Sequence, residues 1–354
     1  MGAGACITRA ISAISLAAIV ACLLASADPA AAKPGPLKLL PLDPNALEGI
    51  RLFHAPVRDR VRKTVLHART AKRLDAHTAE TRFRTQDGYE IPVAVSSAYT
   101  PDPKVEQSYV NLLGGLVHST ELGKISVYIA TPGQIENTFC GSGALACYVG
   151  DDQRMYVPGV SEHSDPPVQF LIAHEYGHHI ELNRSNSPWS AYDQGTKRWA
   201  TEQNVCSLER RRKVRTNYYN DPSEAFAESY ADMQYPGVDF IYTDLLKPDG
   251  GAFRAIREDV LHPWAGPRTL ALNGGRERAF RLSTPLDGTA SFSISAPAGT
   301  SYRLRVLAHG QVVRRRSTHA GGTADYTICG QRRITVQVNR VAGSGPFTLS
   351  AQLP

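Results

Sequence analysis

The chain has 354 residues, of which 42% are hydrophobic and 20% are charged, a balance typical of soluble globular proteins. This length is sufficient for two domains and a leader. A formal net charge of +6 is too small over this length to indicate a nucleic-acid-binding protein. We therefore expect a globular protein with a sizeable core and no nucleic-acid partner.

Residues 1–32 have the features of a secretory signal peptide. An apolar run over residues 11–25 is followed by two A-x-A patterns, which predict cleavage after Ala27 or Ala32. The run is too short for a stable membrane span. The alternative is a lipoprotein signal, because residues 19–22 resemble a lipid-attachment box that ends in Cys22. Both interpretations predict a secreted or cell-envelope protein.

Four cysteines follow the leader, and an even number in an exported chain predicts disulfides. Cys140 and Cys147 flank a turn-rich segment, so we expect them to pair with each other. Cys206 and Cys329 would then join two distant segments, with two buried thiols as the alternative. None of the four has zinc-finger spacing, although Cys206 remains a candidate fourth ligand of a structural zinc ion.

The first domain is predicted to cover residues 33–266, and its region before about residue 80 is either a prosegment or the start of the domain. The first predicted elements are helical stretches within 57–74, a hairpin over 81–99, a helix over 105–117 and strands over 124–130 and 155–158. Because proline suits the edge of a sheet, we expect the strand that ends at Pro158 to be an edge strand able to pair with an extended peptide.

Three more helices are predicted before residue 267. The first begins at Pro166, with Ser164 or Asp165 as N-cap, and the second covers about 196–208. The third runs from Pro222 to Met233, with Asp221 as N-cap. Beyond residue 267, alternating segments over 290–296, 302–307 and 334–338 predict a small antiparallel β-sandwich over 267–354. The predicted fold class is α+β, with a twisted sheet packed on two of the helices and the sandwich after it.

The helix that begins at Pro166 carries the sequence His174-Glu175-Tyr176-Gly177-His178. Residues four apart lie on one face of a helix with Cβ atoms about 5–6 Å apart, so His174 and His178 can bind one Zn²⁺ ion. Glu175 lies beside the first ligand, where it can take a proton from a water activated by the metal and pass it to a leaving amine. Glu181 lies about 10 Å along the axis from His174 and is not expected to reach the same ion.

A catalytic zinc site also needs a third protein ligand and an open position. In the helix that begins at Pro222, Glu224, Glu228 and Asp232 fall four residues apart on one face. One interpretation makes Glu224 the ligand, with Glu228 hydrogen-bonded to a ligand histidine. A shifted interpretation makes Glu228 the ligand with Asp232 behind it. The non-functional alternative for Glu224 is a capping box with Asp221.

Together, the histidine motif and Glu224-Ala225-Phe226-Ala227-Glu228 resemble the gluzincin peptidases, in particular the secreted lethal-factor-like group. The resemblance covers roughly residues 148–233 and implies a zincin-like catalytic domain with Glu224 as the third zinc ligand. It also implies a tyrosine shortly before that ligand, which assists the oxyanion and for which Tyr218 and Tyr219 are candidates. Ordinary aromatic packing is the alternative for both tyrosines.

The tail over residues 326–349 resembles the bacterial pre-peptidase C-terminal domain, which implies a role in secretion, inhibition or substrate docking. Two basic clusters, over 210–213 and 314–316, are interpreted as solvated loops. For the first, the alternatives are the lining of a cleft for acidic substrates and a processing site.

These observations predict a secreted zinc-dependent endopeptidase that acts on a peptide or protein substrate. Its ligands would be His174, His178 and Glu224, with Glu175 as general base and Glu228 behind a histidine. Two alternatives are a non-catalytic exported binding protein with structural zinc and a zinc amidase that acts on cell-wall peptides.

Overall fold

The computed structural model describes residues 80–354 except 160–165, 238–240 and 320–321. The predicted signal peptide, the lipoprotein alternative, the possible prosegment and the candidate caps Ser164 and Asp165 lie outside the described residues. The described helices are α1 (Pro103–Gly115), α2 (Pro132–Gln134), α3 (Pro166–Leu182), α4 (Ala191–Gln194), α5 (Lys197–Glu202), α6 (Val205–Arg210), α7 (Pro222–Gln234) and α8 (Gly250–Leu261).

The described strands fall into three sheets. They are β1 (Glu80–Arg84), β2 (Glu90–Val95), β3 (Ser126–Ala130), β4 (Cys147–Val149), β5 (Arg154–Pro158), β6 (Arg268–Gly274), β7 (Glu277–Ser283), β8 (Gly288–Ser295), β9 (Ser301–Ala308), β10 (Gln311–His319), β11 (Thr323–Ile328), β12 (Arg333–Ala342) and β13 (Phe347–Leu353).

The first sheet has the strand order β1-β2-β3-β5-β4. Its predicted hairpin forms, because Gly88 has φ +97° in the turn between β1 and β2. Strands β2, β3 and β5 are parallel, and β4 is antiparallel to β5. The prediction that the strand ending at Pro158 is an edge strand is therefore wrong. The edge on that side of the sheet is β4, whose three residues are too few to produce a readable alternation in the sequence.

Helices α3 and α7 cross closely beneath this sheet. A Cβ atom at Gly177 of α3 would lie 2.7 Å from the Cα atom of Ala227 in α7, so the glycine permits the approach. Buried apolar side chains of both helices, such as Ile180 and Tyr230, join those of the sheet in one core. Asp221 caps α7 as predicted, because its side chain accepts a hydrogen bond from the backbone N–H of Ser223.

Two parts of the helical prediction need correction. The helix expected over 196–208 is two short helices, α5 and α6, separated where Asn204 adopts a left-handed conformation with φ +54°. Helix α8 was not predicted, and it packs on α5 through Arg198, whose guanidinium lies 2.7 Å from the carboxylate of Asp259. The break at Asn204 depends on tertiary packing, since nothing in the local pattern forbids a continuous helix.

The C-terminal part is an antiparallel sandwich-like region, so the predicted α+β class is confirmed. One four-stranded sheet has the order β10-β9-β12-β7, and the other has the order β11-β8-β13-β6. Alternate residues such as Leu304, Val336 and Leu349 are fully buried between the sheets. The basic cluster over 314–316 lies in strand β10, so its interpretation as a loop is wrong.

Both expected disulfides are present, Cys140–Cys147 and Cys206–Cys329, and the thiol alternative is thereby excluded. They indicate an oxidising compartment. The second bond ties α6 to the sandwich, where the backbone N–H of Asp287 also donates to Thr201. All described residues belong to one compact unit. None of the helices in the described ranges combines the length and the apolar character that crossing a bilayer requires.

Candidate metal centre

Helix α3 presents His174 and His178 one turn apart, and α7 presents Glu224 from its first turn. All three side chains are buried, and one donor atom from each lies within 4.8 Å of the other two. The close crossing at Gly177 brings the two helices near enough for this. The structure therefore brings together the three side chains that were predicted as metal ligands.

The spacing of the donor atoms suits a divalent metal ion. Oε2 of Glu224 lies 3.4 Å from Nε2 of His174 and 3.6 Å from Nε2 of His178. Two ligands of a tetrahedral ion with bonds of about 2.05 Å lie about 3.3 Å apart, close to these values. Two imidazoles and one carboxylate form a donor set that transition-metal ions accept. The group can therefore hold a metal ion.

The other ring nitrogens of the two histidines meet carboxylates. Nδ1 of His174 lies 3.0 Å from Oε2 of Glu228, and Nδ1 of His178 lies 3.0 Å from Oε2 of Glu181. Ser223 donates a hydrogen bond of 2.7 Å to the same oxygen of Glu181. Carboxylates in this position fix the ring orientation and leave Nε2 free for a metal.

Glu228 thus occupies the place predicted for it behind a ligand histidine. The shifted interpretation does not match the geometry, because the donor group found among the described residues contains Glu224 and not Glu228. Glu224 does not form the capping box either, since its carboxylate faces the histidines. The role of Glu181 was missed, although its position three residues after His178 is a signal that could have revealed it.

Glu175 lies beside His174 on the wall of an open cleft with an empty volume of about 550 Å³. Burial raises the pKa of its carboxyl group, and the positive charge of the two histidines acts in the opposite direction. The cleft is lined by Ala144, Leu145, Ala146, Phe170, Leu171, His174, Glu175, Tyr218, Tyr219, Glu228, Ile241 and Tyr242. Of the three candidate ligands His174 lines this cleft, and most of the surrounding wall is apolar.

Two tyrosines of the cleft lining, Tyr218 and Tyr242, lie beside Glu224. The hydroxyl of Tyr242 lies 3.1 Å from Oε2 of Glu224 and 2.8 Å from the hydroxyl of Tyr218. A hydroxyl has one hydrogen, so when Tyr242 donates to Glu224 it accepts from Tyr218. Burial raises the pKa of both phenols, so both remain protonated donors at neutral pH. Tyr218 thus lies beside the candidate metal centre, and its role at the oxyanion stays a prediction.

Tyr219 lies at the mouth of the cleft, 38% exposed, with its ring against that of Tyr218. Tyr242 was missed, because it follows no motif and its position depends on how the chain returns after α7. Its ring is nearly parallel to that of His174, with centroids 6.5 Å apart.

Cys206 is not a ligand, because its sulfur is bonded to Cys329. His179, next to the second ligand, points away from the group. Its Nε2 lies 2.8 Å from the backbone oxygen of Glu121, and its Nδ1 lies 2.9 Å from the hydroxyl of Tyr148. Burial lowers the pKa of His179 to about 4, so it is a neutral residue that holds α3 against β4.

No family model matches the chain, and no curated protein matches it. Among solved structures, the Yersinia pseudotuberculosis-derived mitogen is 10% identical, with 25% of this chain and 87% of that chain covered and a TM-score of 0.21. The M60 catalytic domain with two CBM51 domains from Clostridium perfringens ZmpB is 13% identical, covering 24% of this chain and 10% of that chain, with a TM-score of 0.20. A family GH115 4-O-methyl-α-glucuronidase is 9% identical, with 55% of this chain and 30% of that chain covered and a TM-score of 0.18. Similarities at this level carry no argument about activity.

Proposed function

We propose that the chain is a secreted zinc-dependent endopeptidase. The observation that supports this best is that Glu175 lines a cleft together with His174, one of the three side chains whose donor atoms converge. Three protein ligands with an open side are typical of catalytic zinc sites, whereas structural sites are closed by a fourth protein ligand. The two disulfides agree with export.

In this proposal the chain holds zinc through Nε2 of both histidines and a carboxylate oxygen of Glu224. Bound zinc supplies Lewis acidity, which favours ionisation of water and polarises a carbonyl group. Glu175 acts as the base that accepts a proton from the attacking water, and then delivers it to the leaving amine. When a peptide binds, the hydroxyl hydrogen of Tyr218 would turn from Tyr242 to the substrate oxygen that becomes negative in the transition state.

Strand β4 is the proposed docking site for the peptide backbone. It is one of the two edges of the sheet, and the segment just before it, Ala144–Ala146, forms a wall of the cleft. An extended peptide can add a strand at such an edge. Leu145, Phe170 and Leu171 would then surround an apolar side chain next to the scissile bond. This arrangement favours a peptide substrate over a small polar one.

The rival function is that of an exported binding protein with structural zinc. A structural zinc site would need a fourth protein ligand, and the candidate for it, Cys206, is bonded to Cys329 instead. A structural site also has no use for a buried carboxylate such as Glu175 beside an open position.

The test is hydrolysis of a mixed peptide library, with cell-wall peptides included, by the zinc-loaded protein and by Glu175→Gln. We expect wild-type cleavage and a loss of about 10²–10⁴-fold in the variant, with zinc still bound. Glu202→Gln, an exposed carboxylate outside the cleft, is the matched control and should retain full activity. Stoichiometric zinc without any cleavage by the wild type would favour the binding protein. Cleavage confined to cell-wall amides would favour an amidase.

A further inference from the structure

The positive charge of the chain is concentrated in its C-terminal sandwich. Residues 267–354 contain twelve arginines, no lysine and three acidic residues, a net charge of +9, whereas the whole chain carries +6. The rest of the chain is therefore slightly acidic, at −3. The sandwich is distinct in charge as well as in fold, and the exclusive use of arginine is itself informative, because arginine binds carboxylate and sulfate groups in a bidentate manner.

Several of these arginines lie together on the outward side of the sheet β10-β9-β12-β7. On β9, Tyr302, Leu304 and Val306 are buried, so Arg303 and Arg305 point outward. Register places Arg315 of β10 opposite Arg305. We call the outward side of this sheet the arginine face, and its residues are Glu277, Ala279, Arg281, Ser283, Arg303, Arg305, Leu307, Val312, Arg315, Ser317, Arg333, Thr335, Gln337 and Asn339.

The central arginines of the arginine face have no acidic partner among the described residues. Neighbouring positions lie about 5 Å apart across strands and about 7 Å apart along a strand, so these like charges repel one another. None of Arg281, Arg303, Arg305 and Arg315 forms an ion pair with another described residue, and Nε of Arg305 is buried without a hydrogen-bond partner. The acidic residue on this face is Glu277, at its edge opposite Asn339. An external anion would relieve the repulsion.

We propose that the arginine face binds an acidic polysaccharide, that is, a linear glycan with carboxylate or sulfate groups. The arginines match the anionic groups. Gln337, Asn339 and Thr335, which lie between them, offer amide and hydroxyl groups to sugar hydroxyls. The face spans four neighbouring strands, β10, β9, β12 and β7, so a linear chain can lie across it. This inference does not depend on the proposed peptidase activity.

Other anionic partners fit the face less well. Single-stranded nucleic acids stack their bases on exposed aromatic rings, but the aromatic residues of this sheet, Phe280 and Tyr302, are buried. A membrane surface requires several apolar side chains that insert. The larger apolar residues on the face are Leu307, which is half-buried, and Val312, which is 36% exposed at the edge of the sheet. The polysaccharide is therefore the partner that the chemistry of this surface favours.

The test uses the purified full-length mature protein with heparin and polygalacturonate as probes, measured by calorimetry at about 0.15 M salt. We expect binding by the wild type and at least about tenfold weaker binding by Arg303→Gln/Arg305→Gln/Arg315→Gln. The control triple variant, Arg211→Gln/Arg212→Gln/Lys213→Gln, removes the same charge from an exposed cluster in the first domain and should bind within about twofold of the wild type. Replacing the same three face arginines by lysine should weaken binding by an intermediate factor, because the charge remains and the planar fork is lost.

Three outcomes would overturn the proposal. One is failure of the wild type to bind either polysaccharide. Another is equal weakening by the two glutamine triple variants, which would show a general charge effect. The last is tighter binding of the same face to duplex DNA or to phosphatidylglycerol vesicles than to both polysaccharides. Thermal melting within a few degrees of the wild type confirms that each variant is folded.

Discussion

Glu228 and Glu181 occupy equivalent places behind the two histidines of the metal centre, and only Glu224 faces the Nε2 atoms. This difference separates the candidate ligand Glu224 from the two glutamates that would orient candidate ligands. Glu228→Gln keeps the shape of the side chain but weakens its hydrogen bond to His174. We expect zinc affinity to fall about 10–100-fold, whereas Glu224→Gln should fall much further because a ligand is lost.

Competition with a chromophoric chelator measures both affinities, and Glu202→Gln serves as the control with unchanged affinity. If Glu228→Gln lost zinc as completely as Glu224→Gln, the shifted interpretation with Glu228 as ligand would replace the present one.

Tyr218 and Tyr242 differ in what their hydroxyls can reach. Tyr242 donates to the ligand Glu224, so Tyr242→Phe should weaken zinc binding severalfold. Tyr218 lies one hydrogen bond further from the ligand, on the cleft wall. We expect Tyr218→Phe to lower kcat by about 10²-fold at saturating zinc, as loss of an oxyanion donor does, and to leave zinc affinity unchanged.

Separate measurements of zinc affinity and of kcat on one peptide distinguish the two tyrosines. Tyr219→Phe, at the exposed mouth of the cleft, is the matched control and should change kcat little. The assignment fails if Tyr219→Phe lowers kcat as much as Tyr218→Phe does.

At the scale of elements, the metal centre depends on how closely α3 and α7 approach at Gly177. A methyl group there would lie 2.7 Å from the Cα atom of Ala227, which is backbone and cannot rotate away. We expect Gly177→Ala to destabilise the fold by about 1–3 kcal/mol and to weaken zinc binding, because the helices that carry the ligands are pushed apart.

Urea unfolding with and without zinc measures both effects. Gly133→Ala is the control, since the added methyl group meets nothing within 4 Å and α2 is exposed. Equal stability and zinc affinity for Gly177→Ala and the wild type would show that α3 and α7 tolerate a wider separation.

Element-level prediction succeeded where one physical signal dominated. Alternation revealed three of the eight sandwich strands, β8, β9 and β12, and Asp221-Pro222 marked the start of α7. The four-residue spacing of His174 and His178 placed them on one face. Sequence patterns could not place β4, because three residues are too few to show an alternation. They could not place Tyr242 either, because its position is set by tertiary packing. The choice between Glu224 and Glu228 also needed the structure, because their spacing on the helix is compatible with either interpretation.

At the scale of the whole molecule, Lys197 lies where the first domain meets the sandwich. It is 1% exposed, its Nζ donates to the backbone oxygen of Ser187 at 2.7 Å, and it lies 4.4 Å from the ring centre of Trp264. Burial lowers the pKa of Lys197 to about 8, although the carboxylates of Asp287 and Asp259 act in the opposite direction. The charged form is therefore disfavoured in the folded protein.

This shift predicts a pH dependence of stability. Below about pH 8 the lysine is charged in both the folded and the unfolded chain. The cost of burying its charge then lowers the free energy of unfolding by its full amount. Between about pH 8 and 10.5 the folded protein loses this proton first, and the contribution of Lys197 to the free energy of unfolding becomes more favourable as the pH rises. The difference in unfolding free energy between wild type and Lys197→Met should therefore grow in favour of the wild type over this range. A difference that stays constant would show that Lys197 keeps an ordinary pKa, and Lys213→Met, at an exposed site, is the control.

The two disulfides are expected to stabilise the fold by different amounts, because they close loops of very different length. Cys206–Cys329 spans 123 residues and joins the first domain to the sandwich, whereas Cys140–Cys147 spans 7 residues beside the cleft. Loop-closure entropy predicts that replacing the first pair by alanine costs about 5 kcal/mol of unfolding free energy, and replacing the second pair costs about 2.5 kcal/mol.

The second pair also holds Ala144–Ala146 against the cleft, so its removal should raise KM for peptides. Removal of the first pair should leave KM nearly unchanged in the molecules that remain folded. Denaturant unfolding and peptide kinetics on the two double variants test this separation. A larger rise in KM for the Cys206→Ala/Cys329→Ala variant would show instead that the sandwich takes part in binding the peptide.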